Sequence, residues 1–283
     1  MEIKESFITV QGIKTHYYEA GSKGSIVVLL HGGGIDSARL SWAGIIETLA
    51  ASGHRVVAPD LPGYGESARP AESGTVPYYL EYLSHFLDAL NLDKLTLVGI
   101  SMGGAISLGT CLQDPARIQR LVLVDSYGIQ RKAPFHLLSW VMVKIPGILE
   151  STWPMVRMNR SMARWSMSNV FHDLNLISDD LMDAILLEAR RPEAGKAFTR
   201  MQRDEILLSG VKTNYLDRLK EIGVPTLLVH GEFDTAVPLS CAEEAHQRIV
   251  GSRLEIIPGA GHWPQREKPE EFNKVVIGFL QKP

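Results

Sequence analysis

Three patterns in the amino-acid sequence predict an α/β fold built on a mostly parallel sheet. They are a hairpin near the start, short apolar runs further along, and helical stretches between those runs. Strands that alternate with helices imply right-handed crossovers and helices on both faces of the sheet. Together, the hairpin and the apolar runs predict a sheet of eight strands.

The hairpin is predicted at residues 7–18. Residues 7–10 and 15–18 are rich in β-branched and aromatic side chains, and a Gln11-Gly12 turn lies between them. Glycine in such a turn adopts a positive φ without steric cost. The two segments are therefore expected to pair antiparallel at one edge of the sheet.

Six short runs of β-branched and leucine residues have the character of buried parallel strands. They lie at residues 26–30, 55–58, 95–100, 121–124, 226–230 and 254–257. Helical patterns occur at residues 40–51, 77–90, 102–112, 240–250 and 269–280. Each of the later runs is thus separated from the next by a stretch long enough for a crossover helix.

The alternation stops between residues 127 and 219, where we find no strand pattern. This stretch holds seven of the nine methionines and three of the five tryptophans. Methionine fills irregular apolar space, so the segment is predicted to be a helical cap over a core formed by residues 1–126 and 220–283. For any single methionine, an ordinary core position is the alternative.

Composition excludes several classes of protein. The 283 residues are 45% hydrophobic and 22% charged, with a net charge of −3 and both signs interspersed, so a nucleic-acid partner is not expected. Cys111 and Cys241 are predicted to be free thiols in a reducing compartment. Without a secretory pattern at the N-terminus or a run of about 18 apolar residues, a cytoplasmic protein with no membrane partner is expected.

A candidate nucleophile lies in Gly99-Ile100-Ser101-Met102-Gly103, which follows a predicted strand and begins a predicted helix. A serine on a sharp strand-to-helix turn needs small neighbours, and the turn lifts its oxygen clear of the sheet. The helix N-terminus favours negative charge that develops beside it. The alternative is a tight turn with a capping serine.

A glycine-rich segment, His31-Gly32-Gly33-Gly34, ends another predicted strand. Such glycines let the backbone approach a ligand and direct an N–H group at it. We predict that the N–H groups of Gly33 and Met102 form an oxyanion hole. A phosphate-binding loop is disfavoured because no Lys-Ser/Thr pair follows.

A serine nucleophile needs a base and an orienting acid. His262 is the candidate base because it lies in a glycine-rich loop, residues 258–264, after the last predicted strand. Asp234 follows the preceding strand and completes the chain order Ser, Asp, His that such triads use. Asp125, at the end of the strand before that, remains the alternative acid.

Taken together, these motifs resemble the α/β-hydrolase superfamily over essentially the whole chain. They are the turn at Ser101, the His-Gly-Gly-Gly loop, Asp-Leu-Pro-Gly-Tyr-Gly-Glu-Ser at residues 60–67, Gly-x-x-Asp and Gly-His-Trp. Within the superfamily, the chain most resembles the meta-cleavage-product hydrolases. Those enzymes split a carbon-carbon bond in vinylogous diketo acids without a cofactor, and they carry a helical cap.

The resemblance also implies substrate-binding residues. Arg190, two residues before Pro192, matches the cap arginine of that family and would hold the substrate carboxylate or enolate. A solvated helix charge is the alternative. Gly32, Gly34 and Trp263 are implied to line the substrate site.

The sequence therefore predicts a serine hydrolase for a small-molecule substrate, with neither cofactor nor metal. Carbon-carbon cleavage is the first expectation, and a carboxylesterase for small acyl esters is the near alternative. A hydrolase-fold receptor with incidental turnover is an alternative from another class. A homodimer is left open.

Overall fold

A computed structural model describes residues 2–281 of the chain. The strands in this part are β1 (Lys4–Val10), β2 (Ile13–Ala20), β3 (Ile26–Leu30), β4 (Arg55–Pro59), β5 (Leu95–Ile100), β6 (Ile118–Val124), β7 (Ile206–Leu207), β8 (Gly210–Val211), β9 (Thr226–Gly231) and β10 (Arg253–Ile257). Eight of them form one sheet in the order β1-β2-β4-β3-β5-β6-β9-β10. The predicted number of strands is confirmed.

The pairing directions also follow the prediction. β1 and β2 form an antiparallel hairpin at one edge, and β2 is antiparallel to β4. All pairings from β4 through β3, β5, β6 and β9 to β10 are parallel. The carboxyl ends of these parallel strands therefore lie along one edge, where ligands of open α/β sheets bind.

Helices cover both faces of the sheet. The α-helices of the described residues are α1 (Ala38–Ala51), α2 (Val76–Ala89), α3 (Met102–Gln113), α4 (His136–Lys144), α5 (Ile148–Met158), α6 (Arg160–Ser166), α7 (Asp179–Arg190), α8 (Lys196–Glu205), α9 (Leu239–Arg248), α10 (Pro264–Glu267) and α11 (Pro269–Leu280). Side chains of β3 alternate between two apolar clusters, as a strand period of two requires. One cluster includes residues of α2, α3 and α9, and the other includes residues of α1 and α11.

The stretch from 127 to 219 holds α4 to α8, as its helical character predicts. The expectation that it holds no strand is wrong, because β7 and β8 form a short antiparallel hairpin with Ile206 opposite Val211. Strands of two residues leave no alternation to read in a sequence. Its methionines divide between buried positions, such as Met182, and exposed ones, such as Met158.

Cys111 and Cys241 are free thiols, as predicted. Burial raises the pKa of Cys111 to about 11, so this thiol is an inert core group. In residues 2–281, no helix has the length and apolar character needed to cross a bilayer.

Candidate active site

Ser101 lies at the junction of β5 and α3 in a strained backbone conformation. Its φ is 51° and its ψ is −116°, a region that side chains other than glycine rarely adopt. Its N–H donates to the Val124 carbonyl over 3.0 Å, and its own carbonyl accepts from Tyr127 N over 3.0 Å. These hydrogen bonds to the adjoining β6 segment hold the turn in place.

The two glycines of the motif are required by crowding in this turn. A Cβ atom on Gly99 would lie 2.2 Å from the Gly103 carbonyl oxygen. A Cβ on Gly103 would lie 2.3 Å from the Leu30 carbonyl oxygen, which belongs to the neighbouring strand. The steric reason predicted for the small residues is therefore present in the structure.

The His31-Gly32-Gly33-Gly34 loop lies directly against Ser101. A Cβ on Gly32 would be 3.5 Å from Ser101 Cβ and 3.0 Å from Asp36 Oδ2. The Gly32 N–H donates to the same Asp36 oxygen over 2.7 Å. Asp36, which the sequence analysis did not select, therefore anchors the loop to the start of α1.

The side chain of His31 orients the Gly32–Gly33 peptide. His31 Nε2 accepts from Leu61 N over 3.0 Å, so the ring proton is on Nδ1, which donates to the Gly32 carbonyl over 2.7 Å. In a trans peptide, the carbonyl and the next N–H point in opposite directions. The Gly33 N–H is therefore directed away from His31.

The second predicted donor, Met102 N, is in the first residue of α3, where backbone N–H groups have no partner within the helix. Its side chain is buried and accepts a weak hydrogen bond from Tyr64 Oη, 3.8 Å from its sulfur. The helix dipole adds partial positive charge at this end. The oxyanion hole of Gly33 and Met102 stays a prediction, which the free N–H at the start of α3 and the orientation of the Gly32–Gly33 peptide support.

The structure brings His262 and Asp234 into direct contact. His262 Nδ1 is 2.8 Å from Asp234 Oδ2, and both side chains are buried. Asp234 Oδ1 accepts from Ala236 N and Val237 N over 2.7 and 3.1 Å. Burial alone would raise the pKa of Asp234, but the charge and hydrogen bond of His262 outweigh it and lower that pKa. An ionised Asp234 keeps the ring proton on Nδ1 and leaves Nε2 free to accept a proton.

The alternative acid, Asp125, lies beside this pair but has a different environment. Its Oδ1 accepts from Gly231 N over 2.9 Å, and its side chain is fully buried. Burial and the neighbouring charge of Asp234 raise the pKa of Asp125 well above its usual value. The raised pKa favours the neutral form of Asp125, while Asp234 is the carboxyl group that His262 contacts.

Asp125, Asp234 and His262 each offer a possible metal-ligand atom, all within 4.8 Å of one another. His262 Nδ1 has no lone pair for a cation while it donates to Asp234. The raised pKa of Asp125 favours a proton on that acid, which accounts for the close approach of the two carboxyl groups. We assign no metal to this group.

The loop that carries His262 is fastened to the segment between α6 and α7. His262 N donates to the Val170 carbonyl over 2.7 Å. Buried Glu267, in α10, accepts from Gly261 N over 2.6 Å and from His172 N over 2.8 Å. No local sequence pattern indicates this role of Glu267, because its partner His172 is distant along the chain.

Replacing Glu267 with alanine is expected to destabilise the protein by about 2–3 kcal/mol, because buried N–H groups lose a charged acceptor. Chemical denaturation would measure the change. Glu270→Ala is the control, because Glu270 is exposed in the first turn of α11 and should change stability by about 0.5 kcal/mol or less. Equal effects of the two substitutions would contradict the anchoring role.

Ser101 and Met102 line a cavity of about 150 Å³ with mostly apolar walls. Phe198 and Met201, which belong to α8, also line this cavity, and so does Val237. Phe198 also covers the glycine loop, since a Cβ on Gly33 would lie 2.7 Å from the phenyl ring. The sequence did not identify Phe198, because a single aromatic residue in a polar helix carries no signal of its own.

The structure does not bring Arg190 to this cavity. Arg190 ends α7, is exposed, and donates from Nε to the Arg157 carbonyl over 3.1 Å. The expected contact with substrate is therefore corrected in favour of the solvated helix charge. A sequence motif locates the arginine on its helix, but packing decides the direction of its side chain.

Besides Gly32, the resemblance implies Trp263 and Gly34 as substrate residues, and these two differ in exposure, since Trp263 is buried and Gly34 is half-buried. Trp263 is buried and packs edge-on against Phe171, with 5.8 Å between ring centroids. It thus links the His262 loop to the same segment between α6 and α7. Gly34 has a φ of 86°, and a Cβ there would lie 3.9 Å from the Phe198 ring.

A family model described as alpha/beta hydrolase fold matches residues 26–269, so the chain belongs to the α/β hydrolase family and is a hydrolase. It is 31% identical over 284 residues to the 2-hydroxy-6-oxo-6-(2'-aminophenyl)hexa-2,4-dienoic acid hydrolase of Metapseudomonas resinovorans, covering 98% of this chain and 91% of that protein. The 2-hydroxy-6-oxo-2,4-heptadienoate hydrolase of Pseudomonas putida is also 31% identical, with 95% and 93% covered.

Solved structures are similar over the same length. The meta-cleavage product hydrolase CumD from Pseudomonas fluorescens IP01 has a TM-score of 0.81 at 26% identity, with 97% of each chain covered. CarC, a serine hydrolase involved in carbazole degradation, has a TM-score of 0.80 at 29% identity, with 99% of each chain covered. The predicted resemblance is thereby confirmed.

Proposed function

We propose that the protein is a serine hydrolase that cleaves a carbon-carbon bond in a vinylogous diketo acid of the meta-cleavage type. The observation that carries the proposal is the buried His262–Asp234 hydrogen bond at the same sheet edge as the strained Ser101 turn. Val237, whose N–H binds Asp234, lines the cavity next to Ser101. The two whole-length relatives named above are hydrolases of 2-hydroxy-6-oxo dienoic acids.

In the proposed reaction, the dienol acid first tautomerises to the keto form. Ser101 Oγ or the oxygen of a water molecule then attacks the ketone carbonyl while His262 Nε2 accepts the proton of the attacking group. The N–H groups of Gly33 and Met102 stabilise the oxyanion that results. Asp234 stabilises the imidazolium, which returns its proton to the carbon leaving group when the carbon-carbon bond breaks.

If Ser101 attacks, the products separate in two steps. The first leaves an acyl group on Ser101 Oγ and releases the dienol fragment. Water, deprotonated by the same imidazole, then releases the second carboxylic acid and restores the serine. The sequence of steps uses only side chains, backbone N–H groups and water.

A carboxylesterase is the second candidate, and the apolar cavity is the observation that favours it. Among the described residues that line the cavity beside Ser101, none is a lysine or arginine. A neutral acyl chain fits such walls, whereas a dienoic acid needs a cation or several N–H donors for its carboxylate.

Two substrates distinguish these functions. The protein would be incubated with a ring-cleavage dienol acid and, separately, with an aryl butyrate, and turnover followed by absorbance. Many turnovers of the dienol acid support the proposed function, and turnover of the ester alone supports the second candidate. Stoichiometric or negligible turnover of both contradicts each candidate and favours a ligand-sensing role.

Arg190→Ala is expected to change kcat/KM for the accepted substrate by less than about threefold, since an exposed side chain that contacts no substrate contributes little. Steady-state kinetics beside Arg157→Ala, which removes the neighbouring guanidinium, would measure it. A rise in KM of about 10- to 100-fold for the dienol acid alone would mean that Arg190 binds its carboxylate after all.

A further inference from the structure

An apolar surface remains exposed around α4. Eight large apolar side chains are between 38% and 86% exposed there: Phe135, Leu137, Leu138, Val141, Met142, Ile145, Leu207 and Leu208. We call them the α4 patch. Only Val143 of α4 is buried, and a hydrogen bond of 2.9 Å between His136 Nε2 and the Leu207 carbonyl joins the two segments of the patch. Monomeric proteins usually expose such side chains singly rather than in a continuous group.

The charged side chains within residues 126–149 are all basic. No aspartate or glutamate occurs in residues 126–149, while Arg131, Lys132 and Lys144 flank the helix. Arg131 is near Glu244, at 3.4 Å, but Lys132 and Lys144 form no ion pair in the part of the chain that the structure describes. Lys144 Nζ donates only to a backbone carbonyl, that of Arg203. An apolar surface with a cationic rim complements anionic headgroups above acyl chains.

The same charges argue against a second copy of the chain as the occupant. A two-fold contact places the same surface of both subunits together. Because residues 126–149 contain no acid, the same segment of a second copy would offer no partner of opposite charge to Lys132 or Lys144. In a lipid surface, by contrast, lysine side chains extend from the apolar layer to the headgroups.

The α4 patch lies at the rim of the cavity beside Ser101. Ala133 and Pro134, which line that cavity, directly precede Phe135. Ile206 also lines it and directly precedes Leu207. Any surface that covers the patch therefore lies close to this cavity.

We propose that the α4 patch docks reversibly on a lipid bilayer that carries anionic headgroups. The sequence predicts no membrane partner because it has no spanning segment, but a helix that lies in the interface needs only one exposed apolar face. Docking would place the cavity entrance at the boundary between water and lipid. The contact itself does not depend on which bond the enzyme cleaves.

Vesicle flotation tests this proposal with the full chain. We expect the protein to float with vesicles of phosphatidylcholine and phosphatidylglycerol, and much less with phosphatidylcholine alone. Leu137→Ser combined with Leu138→Ser should weaken binding by at least about tenfold. Lys132→Gln and Lys144→Gln should each weaken binding to the anionic vesicles by about fivefold. Val250→Ser is the control, because Val250 is 84% exposed but lies after α9.

Three further results would bear on the proposal. All variants should keep the wild-type circular dichroism and turnover of a water-soluble ester, which shows that the active site is intact. Failure of the wild type to bind either kind of vesicle would overturn the proposal. Concentration-dependent dimers in sedimentation velocity, abolished by the double leucine variant, would overturn it in favour of self-association.

Discussion

Ser101→Ala is expected to lower kcat for the accepted substrate by at least about 10⁴-fold, because it removes the proposed nucleophile and leaves only the oxyanion hole and binding. The substitution should preserve the fold, since alanine has the same Cβ atom in the same strained conformation. Burst and steady-state kinetics on the purified variant would measure the loss.

Ser107→Ala provides the matched control. Ser107 is buried in the same helix as Met102, and its Oγ donates to the Gly103 carbonyl over 2.8 Å. Its removal should change stability slightly and kcat by less than about tenfold. If Ser101→Ala retains the wild-type rate, Ser101 is not the nucleophile for that substrate, and direct attack by water is left as the mechanism.

The second large effect is expected at Asp234. An asparagine there can donate its amide N–H to His262 Nδ1, which leaves the ring proton on Nε2, where the base is needed. Asp234→Asn should therefore lower kcat by about 10³- to 10⁴-fold. Kinetics at neutral pH, with circular dichroism to confirm folding, would establish the loss.

Asp125→Asn is the control that separates the two acids. Burial and the charge of Asp234 raise the pKa of Asp125 and so favour its neutral form, which an amide mimics, and kcat should therefore fall by less than about tenfold. A larger loss in this variant than in Asp234→Asn would make Asp125 the catalytic acid.

The pH dependence of stability gives the same pair of variants a second readout. A carboxyl whose pKa is raised by folding binds more protons in the native state, so its contribution to stability falls as pH rises above its unfolded pKa of about 4. Asp125→Asn should remove that fall and make the unfolding free energy less dependent on pH. Asp234, whose pKa is lowered, instead contributes stability that is lost as pH falls.

Much of the fold could be predicted because its signals are local. Successive side chains of β3 enter two different apolar clusters, one on each face of the sheet. Because both faces are buried, a continuous apolar run was enough to identify this strand. The turn at Ser101 was equally readable, since Gly99 and Gly103 crowd against backbone atoms within a few residues or on the adjacent strand. The short β7–β8 hairpin was missed because it is too short to show a period.

The sequence by itself determined the eight-stranded, mostly parallel sheet, the helical stretch between β6 and β9, and the candidate serine, histidine and acids. Only the tertiary structure decided that His262 contacts Asp234 rather than Asp125, that Arg190 points to solvent, and that α4 is left uncovered. Periodicity and backbone sterics act between neighbours in the chain, so they are encoded in short segments. Side-chain direction and coverage depend on how distant segments pack, and no short segment encodes that packing.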